Sequence, residues 1–159
     1  MAGLSAWDAS WMWSVPLIAV TVIIHVLGLG FFNVKLHQFL SRLKGRPQFL
    51  YAFAFTLGVT ATWATLLHTV EAGIWSAAYC LLGALPDFRS AVLYSLSAIT
   101  TYGHSEIFLE ERWRLMGALE ALNGIILIGL TTAFMYGMIQ MTWPMERREL
   151  HLPWSNGKH

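Results

Sequence analysis

Charge is what this sequence has least of. Only 12% of its 159 residues are Asp, Glu, Lys or Arg, 56% are hydrophobic, and the mean hydropathy is +0.53. Soluble domains carry about 25% charged residues, so a water-soluble globule is excluded and a membrane protein of one domain is expected. Ten basic residues against nine acidic ones leave a formal charge of +1. No basic run is long enough to suggest nucleic acid, and none is expected as a partner. The single cysteine, Cys80, excludes an intrachain disulfide and reads as a small apolar residue in a helix. No regular arginine repeat marks a voltage sensor, and internal repeats are absent. No ligand-sensing module is expected in the short stretch after residue 142. Residues 1–14 carry Asp8 but no lysine or arginine, so the basic start of a signal peptide is missing. Trp7, Trp11 and Trp13 read there as an interfacial belt.

What the chain does have is long apolar runs. Residues 15–34 are long enough to cross the hydrocarbon core, and Pro16 suits a first helical turn. His25 falls mid-span; an intramembrane histidine is a functional-site hypothesis, although a lone one more often bonds a neighbouring backbone group. Residues 35–47 carry Lys35, Arg42, Lys44 and Arg46, with a turn at Gly45-Arg46-Pro47. The positive-inside rule makes this loop cytoplasmic, and the tail with Arg147 and Arg148 cytoplasmic too. The expectation is a multi-pass protein of the cell (inner) membrane with its N-terminus outside.

The second run, residues 48–85, would be about 55 Å of helix, nearly twice the thickness of the core. It reads as a span over 48–70 whose following turns lie at or above the outer membrane surface, or as a helix broken near Gly73. That outer part offers a place for a partner subunit. His68 and Glu71, three apart, share one face with Trp75 nearby. They read as a proton-sensitive pair, as half of a metal site, or as a structural pair at the membrane boundary.

Leu85-Pro86-Asp87 marks the next boundary, and Asp87 is a good N-cap for a helix over 88–100. That helix is about 20 Å long, too short to span. It runs into Ile99-Thr100-Thr101-Tyr102-Gly103-His104-Ser105-Glu106, a polar loop after an apolar half-helix and before a full-length span. This is the pattern of a re-entrant loop, tolerated at membrane depth only where it is buried in protein or lines water. Loop carbonyls and threonine hydroxyls can replace the hydration shell of a cation, and the helix C-terminus favours positive charge. Glu106, Glu110 and Glu111 against Arg112 and Arg114 then give an acid-leading turn, either a solvated loop or a ring that concentrates cations. In the third span, residues 113–142, Glu120, Asn123, Leu127, Thr131, Phe134 and Met138 fall within a sector of about 80°. Polar groups on that stripe argue that it faces a pore rather than lipid, with Phe134 and Met138 as a candidate constriction or as plain packing. Gly124 and Gly129 permit close packing or bending.

Residues 93–134 resemble the pore module of the potassium-channel superfamily, especially its small bacterial two-helix type. The matching parts are Leu93-Tyr94-Ser95-Leu96, Thr100-Thr101-x-Gly103, Trp113-Arg114-Leu115, Glu120-Ala121-Leu122-Asn123-Gly124 and Gly129-Leu130-Thr131-Thr132-Ala133-Phe134. Where the family filter reads T-T-V-G-Y-G-D, this chain reads Thr100, Thr101, Tyr102, Gly103, His104, Ser105 and Glu106. The resemblance implies an all-α membrane protein with three transmembrane helices, a re-entrant pore helix and a filter loop, assembled as a homotetramer in the lipid bilayer. It divides the chain into residues 1–47 (first helix and basic loop), a pore module over 48–142 and a tail over 143–159. It implies a pore for potassium or other monovalent cations, held at Thr101, Tyr102 and Gly103, with no cofactor and no catalysis. It also implies a scaffold role for His68 and Glu71. His104, Ser105 and Glu106 depart from the family, so weak selectivity is expected. One rival reading is a non-conducting scaffold or accessory subunit on the same fold. A lower-ranked one is a metal- or proton-handling membrane enzyme using His25, His68, Glu71 and His104.

Overall fold

The computed structural model describes residues 5–43, 49–103 and 107–147, and the described residues form helices and turns without strands. The elements are α1 (Ala6–Leu43), α2 (Phe49–Leu81), α3 (Phe88–Ile99), a 3-10 turn at Glu111–Trp113 and α4 (Arg114–Arg147). Three segments are long and apolar enough to cross a membrane: Trp7–Leu36, Leu50–Leu81 and Glu111–Gln140. The described residues are thus all-helical, with three candidate spans among them. His104, Ser105 and Glu106, the turn at Gly45-Arg46-Pro47 and the tail beyond Arg147 lie outside the described residues.

Helix α1 starts well before the expected residue 15, so Pro16 lies inside it rather than in its first turn. The reason is a reciprocal cap. Asp8 N–H donates to Ser5 Oγ at 3.2 Å, while Ser5 N–H and Oγ–H reach back to Asp8 Oδ2 at 3.3 and 2.6 Å. This satisfies orphan donors at both residues and fixes the start of the helix. Helix α2 does not break at Gly73; it runs on to Leu81. It ends in a Schellman motif: Ala84 N–H donates to Tyr79 O and Gly83 N–H to Cys80 O, with Gly83 at φ 64.

Side-chain bonds between the long helices fix their directions. Ser10, Thr21 and His25 of α1 meet the Arg112 carbonyl, Asn123 and Thr131 in ascending order, so α1 and α4 run parallel. His25 and Gly28 meet Glu71 and Trp63, and Tyr79 meets Glu120, so α2 runs antiparallel to both. Helix α3 packs into the angle between α2 and α4. Trp75, Tyr79, Ala91, Ile99 and Met116 are buried where the three meet.

Candidate functional site

Helix α3 covers twelve residues, in keeping with the short helix expected there. Asp87 Oδ1 accepts the Ser90 N–H at 2.9 Å, capping the helix start. That backbone bond holds the Asp87 carboxyl below the ordinary carboxylate value. At the other end Tyr102 N–H donates to Ser97 O and Thr101 N–H to Ala98 O, a second Schellman termination. Its left-handed residue is Thr101, φ 56, the one non-glycine with positive φ among the described residues. Thr100 Oγ–H turns back to Leu96 O at 2.7 Å. Tyr102 is 88% exposed, and Gly103 takes φ 81. Thr101 and Gly103 border an open groove completed by Tyr94, Ser97, Phe108 and Ala121.

Glycine sets how closely this loop approaches α4. A Cβ on Gly124 would meet the Ile99 backbone, including its Cα at 2.6 Å, so no side chain fits there without moving α3. Gly117 likewise admits the Tyr94 hydroxyl. Gly129, paired with Gly124 in the sequence reading, has nothing within 4 Å of such a Cβ.

Behind the loop a column of polar side chains runs down the interior. Tyr79 Oη–H donates to Glu120 Oε2 at 2.6 Å, and Ser95 Oγ reaches both Glu120 Oε1 and the Ala72 carbonyl, the latter at 2.9 Å. Next, Asn123 Nδ2 donates to Thr21 Oγ1 at 2.8 Å. About 16 Å along α4 from Glu120, counted over eleven residues at 1.5 Å each, comes the largest group. His25 Nδ1 lies 2.8 Å from Glu71 Oε1, and His68 Nδ1 lies 3.2 Å from Glu71 Oε2. His25 Nε2 and His68 Nε2 both face Thr131 Oγ1, at 2.9 and 3.4 Å. His25 and Glu71 are fully buried. His25 therefore does not bond a neighbouring backbone group, as its isolation in the sequence implied; it joins His68 and Glu71 through space. Below them Thr60 Oγ1 touches Met138 Sδ at 3.9 Å.

The expected pore-lining set takes a definite place in the single chain. Glu120, Asn123, Leu127, Thr131, Phe134 and Met138 do share one face, but that face turns into the chain's own bundle. Glu120, Asn123 and Leu127 are fully buried and Met138 is 7% exposed. Thr131 bonds His25, and Phe134 packs against a cluster of Leu29, Ala64 and Leu67. In the single chain Thr131 and Phe134 keep part of their surface, whereas the others lie inside the bundle. Polarity in a membrane helix demands shelter; here α1, α2 and α3 provide it.

Tyr79, Ser95 and Thr21 were not among the expected site residues. Tyr79 had a faint signal, since eight residues after Glu71 it lies about 80° round α2, at the edge of the same broad stripe. Ser95 and Thr21 had none, because serine and threonine in apolar helices most often bond their own backbone. No protein-family model, curated protein or solved structure matches the chain.

Proposed function

We propose that the chain is the subunit of a homotetrameric, potassium-channel-like membrane pore that passes monovalent cations with weak selectivity. The observation that carries this reading is α3 and its end: a helix too short to span, seated on α4 at Gly124, delivering Thr101, Tyr102 and Gly103 to an exposed loop. Thr101 is a β-branched residue in the left-handed region, where strain is tolerated chiefly for function. Four copies would place four such loops, with their carbonyls and hydroxyls, around one axis.

The face of α4 opposite the buried stripe supplies the wall. Ala118, Leu122, Ile125, Gly129, Thr132 and Tyr136 are exposed on the single chain and follow the i, i+4, i+7 spacing of one helical stripe. Gly129 and Thr132 give it small and polar positions. The pore-lining residues are assigned to this stripe in place of the buried one.

The test is conduction by purified protein in planar bilayers, with reversal potentials in potassium, sodium and calcium. Monovalent cation current with little potassium preference is expected, sharpened towards potassium by His104→Tyr with Ser105→Gly. Absence of current from protein shown to be inserted and oligomeric would overturn the reading in favour of a non-conducting scaffold.

A further inference from the structure

We propose that His25, His68 and Glu71 form a binding site for a divalent transition-metal ion of the zinc class, clamping α1 to α2. The three side chains each offer a ligand atom, and these atoms lie within 4.8 Å of one another. Two imidazoles and one carboxylate are a donor set that zinc takes. With bonds of about 2.0–2.2 Å to each ligand, tetrahedral geometry separates neighbouring donor atoms by about 3.3 Å. His68 Nδ1 already lies 3.2 Å from Glu71 Oε2, and His25 Nδ1 is 2.8 Å from Oε1. Those two separations lie close to the tetrahedral value, and all the donor atoms lie within 4.8 Å of one another.

Two further observations point to a ligand. His68 Nδ1 and Glu71 Oε2 are buried and face each other at 3.2 Å without the alignment of a good hydrogen bond, and each has no other hydrogen-bond partner. Glu71 is a fully buried carboxylate inside a candidate span, and its ion-pair partners among the described residues are these two histidines. A charge in that position requires compensation, and a dication bonded to it provides this. The outer shell is also in place. Both Nε2 atoms turn to Thr131 Oγ1, so each ring can donate its second N–H to one hydroxyl when its Nδ1 holds metal. Metal-bound histidines are commonly oriented through their other nitrogen in this way. His104 is not needed. The site is separate from the α3 loop and does not depend on conduction.

The experiment uses the full chain in lipid nanodiscs, stripped with a chelator and titrated with Zn2+ alone, then with Co2+ as a spectroscopic probe. Expected are one Zn2+ per chain, a higher thermal midpoint with metal, and the intense visible bands of four-coordinate cobalt. Glu71→Gln and His68→Ala should each weaken binding by more than the ~10–100-fold that loss of an outer-shell partner costs, and Thr131→Val should fall within that range. His104→Ala should leave binding unchanged. The cobalt spectrum of the unaltered protein reads the site even where a variant fails to fold. Absence of stoichiometric metal, six-coordinate cobalt only, or binding that survives Glu71→Gln and His68→Ala but is lost on removal of His104, His151 or His159 would each overturn the assignment.

Discussion

Thr101 occupies at the end of α3 the same backbone position that Gly83 occupies at the end of α2. Both are the left-handed residue of a Schellman motif, at φ 56 and 64. Glycine takes that conformation freely, whereas a β-branched residue resists it by about 1–2 kcal/mol. Nothing in the geometry of the helix end asks for threonine. Thr101→Gly should therefore raise stability by about 1 kcal/mol while removing a hydroxyl from the loop. If the loop is a cation site, current should fall or lose its ion preference in the more stable protein. Unchanged conduction with raised stability would assign Thr101 no role in permeation.

Gly124 and Gly129 look alike in the sequence and differ in the fold. A methyl at Gly124 meets the Ile99 backbone, which cannot swing aside as a side-chain tip can. Gly124→Ala should cost about 1–3 kcal/mol by overpacking and shift the α3 loop. Gly129→Ala meets nothing and should be neutral or stabilising by up to about 1 kcal/mol through helix propensity. Thermal unfolding of the two variants side by side checks this, and equal effects would mean that α3 is not held against α4 as described.

The Tyr79–Glu120–Ser95 group ties α2, α3 and α4 together directly behind the loop. Tyr79→Phe strips one donor from a buried carboxyl group and should destabilise by about 1–3 kcal/mol. Glu120→Gln should cost less once Tyr79 is already Phe than in the parent chain. A double-mutant cycle measures that coupling, expected at about 0.5–3 kcal/mol. A value near zero would show that the two side chains act independently.

At the other end of α3, Asp87 gives a pH dependence whose sign is fixed. Its carboxyl is held below the ordinary value of 3.8, first of all by the backbone bond to Ser90. A lowered folded value means that the stabilisation is complete above the unfolded value and is lost as pH falls through the folded one. Hydrogen exchange of the α3 amides should accordingly show weaker protection of the first turn below pH 4 than above it. Asp87→Asn should keep a cap but lose this dependence, and Asp87→Ala should lose both. Persistence of the same acid transition in Asp87→Asn would place its origin elsewhere.

The short helix, its cap and the three apolar spans were legible in the sequence because each rests on local signals: an Asp after Pro, a run too short to cross, and runs long enough to do so. The angular grouping of Glu120, Asn123, Leu127 and Thr131 was legible too, since helical period alone sets it. What that face meets was not. Periodicity shows that polar groups need shelter from lipid, but an aqueous axis and a helical bundle satisfy that need equally. The deciding residues, Thr21, His25 and Tyr79, belong to other helices. The start of α1 was missed for a different reason: Ser5 and Asp8 form a capping box, but the neighbouring tryptophans drew the segment towards an interfacial reading.

The two faces of α4 finally separate a pore from a packed bundle in solution. On a background with Cys80→Ala, single cysteines at Ile125, Thr132 and Tyr136 lie on the exposed stripe, and cysteines at Leu127 and Phe134 lie on the other. If the exposed stripe of four subunits surrounds an aqueous axis, a charged, membrane-impermeant thiol reagent should modify the first set and block current. It should not modify the second set, where Leu127 has no exposed surface. Lipid contact predicts a different pattern, because a thiol facing hydrocarbon stays protonated and reacts slowly with a charged reagent. Ile125 and Thr132 would then be inert in bilayers although they are exposed on the isolated chain. Rapid modification of Leu127→Cys with Ile125→Cys inert would restore the buried stripe as the pore wall and require α4 to turn by about half a revolution from the orientation described here.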